Sequence, residues 1–429
     1  MRNHNPGTSA NGQPAHSRNW IGLICLLGLT CLLTQSVFAQ GSVRAYGLAG
    51  AYTAAARGID AVEWNPANLA IGEGGVSIGL ASVAVGLYNN SFSLDRYNEI
   101  SGATLTEADK NRILADIPAD GLRLNADARA SVLGFHYGNY AFTIQGIGGG
   151  GGNLDKDFFE LVLLGNEIGE TVSFDDTQGG AYAIGSATLS AGLPVYSGYR
   201  SRLSAGVNVR YLYGIYEMHV EEASGSLTTT MTEIQGSANA SLVTAAGGSG
   251  YGMDLGLALQ APRGWVLGLT VDNLYSHLRW DRDPERRLWS ASADTINLMH
   301  EDMDEAVVDS DSTYAIDAYS TQLPRRLRLG ACNRFGNLIV AMDASQELDH
   351  QATNAGKTAL AAGVEWRALS FLYPRLGLGV GGTAGSSSAI GLGLRLGPWR
   401  LDMAALNRGS LWPNDTKGLG VAVGSSLEF

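Results

Sequence analysis

The C-terminal two-thirds of the chain repeats one theme: segments of 8–12 residues in which large apolar side chains alternate with small or polar ones, punctuated by turns. In Met253, Leu255, Leu257 and Leu259 one face is apolar, opposed by Asp254, Gly256, Ala258 and Gln260. Trp265, Leu267, Leu269 and Val271 continue the pattern against Gly268, Thr270 and Asp272, and Ile390, Leu392, Leu394 and Leu396 oppose Gly391, Gly393, Arg395 and Gly397. Successive side chains of a strand point to opposite faces, so each segment has one apolar face and one that is polar or nearly empty. Soluble β-sandwiches show the same alternation, so a single segment does not choose between the two settings.

The composition of the second face does choose. It carries glycine together with isolated full charges: Asp254, Asp272, Arg328, Asp343, Glu365, Arg367, Arg395 and Asp402. That is a poor solvent surface and a suitable lining for a narrow lumen. The segments are also as long as a tilted strand needs to cross a bilayer. The whole chain has 57 glycines in 429 residues and only 16% charged residues, against ~25% in an average soluble domain. No internal run of 18 apolar residues exists, which excludes a bundle of membrane helices, since each span needs ~20. A net charge of −12 with no basic stripe repels phosphate and argues against nucleic acid as a partner.

The expected fold class is therefore all-β, a transmembrane antiparallel barrel. Spanning strands are placed near 74–87, 129–137, 140–148, 181–193, 202–216, 227–243, 251–261, 264–280, 324–335, 337–348, 358–368, 374–382, 388–397, 398–407 and 418–429, about 14 to 16 once boundaries are allowed for, with an even number preferred. Closure removes every edge and satisfies all backbone hydrogen bonds in lipid. The chain ends Leu419, Val421, Val423, Ser425, Leu427, Phe429 on alternate positions. The terminal aromatic Phe429 reads as the signal to the barrel-assembly machinery, and outer-membrane lipid is the expected surrounding.

Around this core the chain divides into three parts. Residues 1–39 carry Arg2 and Arg18, no acidic residue, an apolar stretch and Ser36-Val37-Phe38-Ala39, a cleaved signal peptide. Removing it leaves Cys332 as the one thiol, hence no intramolecular disulfide. Residues 40–73 form a separate segment before the barrel of 74–429. Within the barrel, 105–117 and 154–168 read as helical insertions, with Thr106 or Asp109 as cap and Pro118 as stop. Residues 281–317 hold 11 Asp or Glu against Arg282, Arg286 and Arg287, an acidic loop that reads as solvated, with a cation or partner as the sharper alternative. The run 309–313 lacks the glycine and distal glutamate of a calcium loop, so no metal site is expected.

Catalysis is not expected either. His136, His219, His277, His300 and His350 are scattered singly, and Gly385-Ser386-Ser387-Ser388-Ala389 fails as a nucleophile elbow at its last position. Gly146 to Gly151 contains a Gly-x-Gly-x-x-Gly pattern but opens no βαβ unit, and reads as a flexible loop or bulged strand end. No cofactor is implied.

The segment after the signal reads Gly47-Leu48-Ala49-Gly50-Ala51-Tyr52, then Asp60-Ala61-Val62 and Trp64-Asn65-Pro66-Ala67-Asn68-Leu69. It resembles the N-terminal hatch of the FadL-like superfamily of outer-membrane barrels, which includes the PorV-like barrels of type IX secretion. Gly250-Tyr251-Gly252-Met253-Asp254, Asp272-Asn273-Leu274 and Leu323-Pro324 with Leu327-Arg328-Leu329-Gly330 extend the resemblance over most of the mature chain. Two positions depart from the superfamily's pattern: Ala49 and Asn68 stand where it has glycine. The resemblance implies a 14-stranded barrel in the outer membrane of a Gram-negative-type bacterium, with the hatch folded into its periplasmic mouth. It further implies a passive transporter of hydrophobic compounds, gated by Asn65, Pro66 and Ala67. The open alternatives are a PorV-like barrel that binds or shuttles secreted proteins and a structural barrel with a permanent plug.

Overall fold

A computed structural model describes residues 42–71, 75–173, 175, 177–297, 308–349, 358–382 and 385–429. The signal peptide expected over 1–39 lies outside the described residues, as does the middle of the acidic loop. The first half of the chain supplies β1 (Val76–Asn89), β2 (Leu122–Tyr137), β3 (Tyr140–Leu154), β4 (Thr171–Ser173), β5 (Gln178–Ser197), β6 (Arg202–Thr229) and β7 (Glu233–Ala245). Next come β8 (Gly248–Gln260), β9 (Val266–Trp280), β10 (Glu285–Asn297), β11 (Val308–Ala315), β12 (Tyr319–Thr321) and β13 (Arg326–Phe335). The rest are β14 (Leu338–Glu347), β15 (Thr358–Trp366), β16 (Leu372–Gly381), β17 (Gly385–Leu396), β18 (Trp399–Arg408) and β19 (Gly418–Glu428).

Fourteen of these close into one antiparallel barrel, in the order β1, β2, β3, β5, β6, β8, β9, then β13 through β19. The ring shuts where β1 pairs with β19, from Ser77 opposite Glu428 to Tyr88 opposite Gly418. Strands join by short turns at one end and, except for β16 to β17, by longer connections at the other, which gives the barrel a short-turn end and a long-loop end. Phe429 completes the seam at the short-turn end, its N–H donating to the Val76 carbonyl at 2.9 Å. Among the described residues no helix is long and apolar enough to cross a membrane, which says nothing about strands.

The outer surface inverts the rule for soluble proteins. Leu376, Leu378 and Val380 on β16 and Leu419, Val421 and Val423 on β19 are exposed, while their neighbours Gly377, Gly379, Gly420 and Ala422 face inward. Exposed aromatics gather near the two rims: Tyr137, Trp265, Phe335, Trp366 and Phe429 at the short turns, and Tyr213, Tyr251 and Tyr275 toward the loops. An apolar band between aromatic girdles is the surface of a barrel made for lipid.

Three expectations need correction. The segment 227–243 is not a wall strand: β7 pairs with the part of β6 beyond the barrel, and β10 and β11 follow it in one sheet. Its run Ser237-Ala238-Asn239-Ala240 offers no apolar face to lipid, so alternation alone misplaced it. The glycine run 146–151 is not a loop, because β3 is paired continuously with β2 and β5 across it. Ladder hydrogen bonds need only backbone, so missing side chains do not interrupt the strand. The acidic segment is in part strand, not loop: β10 and β11 pair antiparallel, and the Arg287 guanidinium pairs with Asp311.

The helical insertions lie at the long-loop end, as Glu107–Asp116 and Lys156–Leu164. The first carries a reciprocal capping box, Thr106 with Asp109, which satisfies two otherwise orphan N–H groups. A further helix, Leu94–Ile100, starts at Ser93. It and the other two insertion helices bury Ile113, Ile117 and Leu122 among Phe92, Ile100 and Phe159.

Candidate functional site

Residues 42–71 fold inside the barrel as short pieces that side chains of the wall hold in place. They comprise α1 (Val43–Gly47), a turn of 3-10 helix at Gly58–Asp60, α2 (Ala61–Trp64) and a second 3-10 stretch, Pro66–Ile71. Helices of five and four residues have no stability of their own in water, so tertiary contacts must supply it. Small residues make the fit possible: Ala45, Ala51, Ala54, Ala56, Ala61, Ala67 and Ala70 are buried almost completely.

The wall opposite is made of glycine. A Cβ on Gly206 of β6 would lie 2.2 Å from the Ala67 nitrogen, and one on Gly377 of β16 would lie 2.2 Å from the Leu48 carbonyl carbon. The empty strand faces seen in the sequence are thus the space the hatch occupies.

Asn65 and Pro66 shape the turn that the superfamily motif marks. The Asn65 side chain donates to the Leu257 carbonyl of β8 at 2.9 Å and accepts the Ala67 N–H at 3.0 Å. Pro66 then opens the 3-10 stretch with its fixed φ. Both departures from the motif have structural counterparts. Asn68 donates to the Thr53 carbonyl at 2.9 Å, tying two hatch segments together. Ala49 sits at φ 51°, in the left-handed region where glycine is favoured.

Two groups of charges fix the hatch to the wall. In the first, Glu365 of β15 receives Arg44 of α1 at 3.2 Å, Arg375 of β16 at 2.6 Å, and Arg367. Arg375 continues to Asp402 at 2.7 Å, and Arg400 joins Asp402 to Glu428. In the second, Arg328 of β13 pairs with Asp272, donates to the Glu63 carbonyl at 3.0 Å and stacks 4.5 Å above the Trp64 ring. Asp254 accepts from Asn208, from the Asn273 N–H and from Arg210. Asp343 accepts two backbone N–H groups of the hatch, from Tyr52 and Thr53. Burial raises the hatch carboxyls of Asp60 and Glu63 above their ordinary values.

Of the eight charges read as lumenal in the sequence, all but Arg395 lie in these two groups: Asp254, Asp272, Arg328, Asp343, Glu365, Asp402 and, through Glu365, Arg367. Arg367 is half-buried in the turn after β15, and Arg395 is exposed at the short-turn rim. Sequence reasoning missed Arg44, Arg375 and Arg400. Two had a signal: Arg375 shares its strand face with Gly377 and Gly379, and Arg400 shares one with Asp402.

Two polar cavities lie against the hatch. One, of about 70 Å³, is lined by Arg57, Asp60, Ser82, Ser131 and Glu428 toward the short-turn end. The other, of about 60 Å³, is lined by Arg129, Thr188, Asn208, Asp254 and Arg326 toward the long loops. Beyond the second, Ile184, Leu212, Leu278, Trp280 and Leu323 form a buried apolar cluster in the lumen. Among the described residues no group of His, Cys, Asp and Glu is arranged to hold a metal ion.

A family described as of unknown function, DUF5723, matches residues 66–246. No curated protein matches the chain. Among solved structures, the TodX deltaS2S3 mutant monoaromatic hydrocarbon channel is similar at 12% identity and a TM-score of 0.50, over 91% of this chain and 98% of that one. The toluene transporter TbuX of Ralstonia pickettii has 16% identity and a TM-score of 0.46, over 89% of this chain and 96% of its own. A FadL homologue of Pseudomonas aeruginosa has 10% and 0.48, over 92% and 99%. The chain resembles the FadL-like superfamily in its hatch motif, and its fold is that of the superfamily's barrels, a closed wall of fourteen strands around an N-terminal plug.

Proposed function

We propose that the protein is an outer-membrane barrel that passes hydrophobic compounds passively, with the hatch closing its periplasmic, short-turn end. The observation that carries this reading is the order of surfaces inside the lumen. An apolar cluster centred on Trp280 and Leu212 lies on the side of the long loops, and the packed hatch lies behind it. Apolar side chains in a lumen otherwise lined with charge favour an apolar ligand over a polar one wherever the cluster opens to admit it. The apolar outer band with its aromatic girdles supports the membrane setting.

In this reading Asn65, Pro66 and Ala67 gate. Their turn bonds to one wall carbonyl and to its own side chain and packs against Gly192, Gly206 and Gly256, so it sits where three wall strands set its position. Uptake of a hydrophobic probe by cells carrying the protein tests the proposal. Replacing Asn65-Pro66-Ala67 by three alanines changes uptake without preventing insertion, and Trp280→Ala alters it from the outer side. Unchanged uptake by both correctly inserted variants would sink the transport reading.

One observation favours the second reading, a barrel that binds secreted proteins. The sheet of β7, β10, β11 and the distal part of β6 projects beyond the wall, with every residue of β11 exposed. Purification from membranes in mild detergent separates the two: co-purifying apolar molecules support transport, and stoichiometric secreted proteins support partner binding.

A further inference from the structure

Six short turns close the barrel at one end: 138–139, 198–201, 261–265, 336–337, 367–371 and 397–398. None of them contains Asp or Glu. The five that follow one another around the ring from β5 to β18 each carry an arginine in the turn or beside it: Arg200, Arg263, Arg334, Arg367 and Arg395. Arg202, the first residue of β6, adds another cation, and its buried Nε has no hydrogen-bond partner. Among the described residues, only Arg367 of this group is in an ion pair, with Glu365. Arg334 and Arg395 are held by carbonyls of their own turns, Gly336 at 2.8 Å and Gly397 at 3.4 Å.

We propose that this end is a docking mouth for an acidic, extended protein segment, with the arginines receiving its carboxylates. The inference takes from the proposed function the orientation in which this end faces the periplasm, and it does not depend on transport. Guanidinium forks match carboxylates in geometry as well as charge. The acids of the same rim, Glu428 and the terminal carboxylate of Phe429, stand at the seam of β1 and β19, outside the arc of arginines, and Glu428 is already paired with Arg400.

The facing of the arginines turns them from lipid to water. Arg202, Arg334 and Arg395 share the inward face of their strands with Gly206, Cys332 and Gly393, each two or four residues away and packed inside the barrel. Their neighbours Phe335 and Leu396 take the outward positions and are exposed in the apolar band. Lipid headgroups therefore lie on the other side of the wall from these side chains.

The spread of the arginines suits a chain and not a small anion. Seven strand intervals separate β6 from β17 around the ring, about 34 Å at ~4.8 Å per strand. One phosphate or carboxylate meets one or two guanidiniums, whereas ten residues of extended chain span about 33 Å.

Tyr199 points to protein as the chemistry of that chain. It is 98% exposed in the turn between β5 and β6, with the Arg200 guanidinium 5.8 Å from its ring centre. Tyrosine and arginine are the residue types that carry protein interfaces, and a bare polyphosphate has no apolar surface to lay on the ring.

The folded protein in neutral detergent micelles, titrated into a fluorescein-labelled ten-residue peptide of alternating Glu and Val, tests this by anisotropy without membranes or uptake. The peptide binds, more weakly as salt is raised, and the same peptide with Lys for Glu does not. Arg200→Glu, Arg263→Glu, Arg334→Glu and Arg395→Glu together weaken binding about a hundredfold. Tyr199→Ala alone weakens it about fivefold, and Arg112→Glu, on an insertion helix at the long-loop end, leaves it unchanged. A folded quadruple variant that binds like wild type overturns the proposal. Undiminished affinity of Tyr199→Ala does so too, by leaving a mouth open to any polyanion, inorganic polyphosphate included. Displacement of the peptide by an equal charge of anionic phospholipid in the micelles would give the arginines to headgroups and overturn it as well. If the quadruple variant does not fold, Arg263→Glu with Arg395→Glu is read by the same criteria. None of these failures touches the transport reading, which uptake tests separately.

Discussion

The Asp343 carboxylate of β14 accepts the backbone N–H of Thr53 at 2.8 Å, so a wall strand caps a hatch turn 290 residues earlier in the chain. The same oxygen accepts the Tyr52 N–H at 3.1 Å. Asp343→Ala leaves two buried donors without partners, at ~1–3 kcal/mol each. The wall keeps its ladders, so the barrel still forms while the hatch loosens. Hydrogen exchange at residues 50–57 should accelerate by well over tenfold, and unchanged protection there would contradict the role given to Asp343.

Gly206 lets the Pro66–Ala67 backbone lie against β6, and no larger residue fits there. Gly206→Val expels that turn from the wall, exposing the hatch to protease while the barrel stays heat-modifiable on an unboiled gel. Gly146→Ala is the control, since a Cβ there meets no atom within 4 Å. Equal protease sensitivity of the two variants would argue against close packing as the reason for the glycine.

Arg375 is fully buried between Glu365 and Asp402. Removing one member of a buried ionic group leaves uncompensated charge, typically ~3–5 kcal/mol. Arg375→Ala should therefore lower the temperature at which the folded band disappears. Arg375→Lys should recover little of it, because a single ammonium cannot reach both carboxylates with the geometry of a guanidinium fork. Full recovery by lysine would show that only net charge matters.

On β6, past its last pair with β8 at Gly214, His219 Nδ1 lies 2.7 Å from Glu217, whose other oxygen receives the Tyr319 hydroxyl. The hydrogen bond with Glu217 raises the His219 pKa above its ordinary value. A raised histidine pKa stabilises the folded form fully below the unfolded value of ~6.5, and the gain is lost as pH rises through the folded value. Limited proteolysis at residues 316–322 should thus become easier as pH rises from 6 through the raised value, and His219→Ala should flatten that dependence. A wild-type profile without slope would rule the contact out as a pH-dependent brace.

Much of the architecture follows from period-two alternation, because burial on one face of a strand is a local property that adjacent residues record. The same alternation marked Asp254, Asp272, Asp343, Glu365 and Asp402 as facing away from lipid. Asn65-Pro66-Ala67 was visible too, since an Asx turn and a proline impose their geometry within three residues. The hatch's partners were not. Alternation says that Arg400 and Arg375 share a side with Asp402 and Gly377, but it does not say that they meet, because strands far apart in sequence become neighbours only on closure.

The sequence by itself determined the strand faces, the barrel class and the hatch turn, all of which depend on residues a few positions apart. Only the tertiary structure decided that 227–243 leaves the wall and that empty glycine faces receive the hatch backbone. These are contacts across 80 or more residues or choices between neighbouring sheets, set by how a closed ring fills its interior, and no local pattern encodes them.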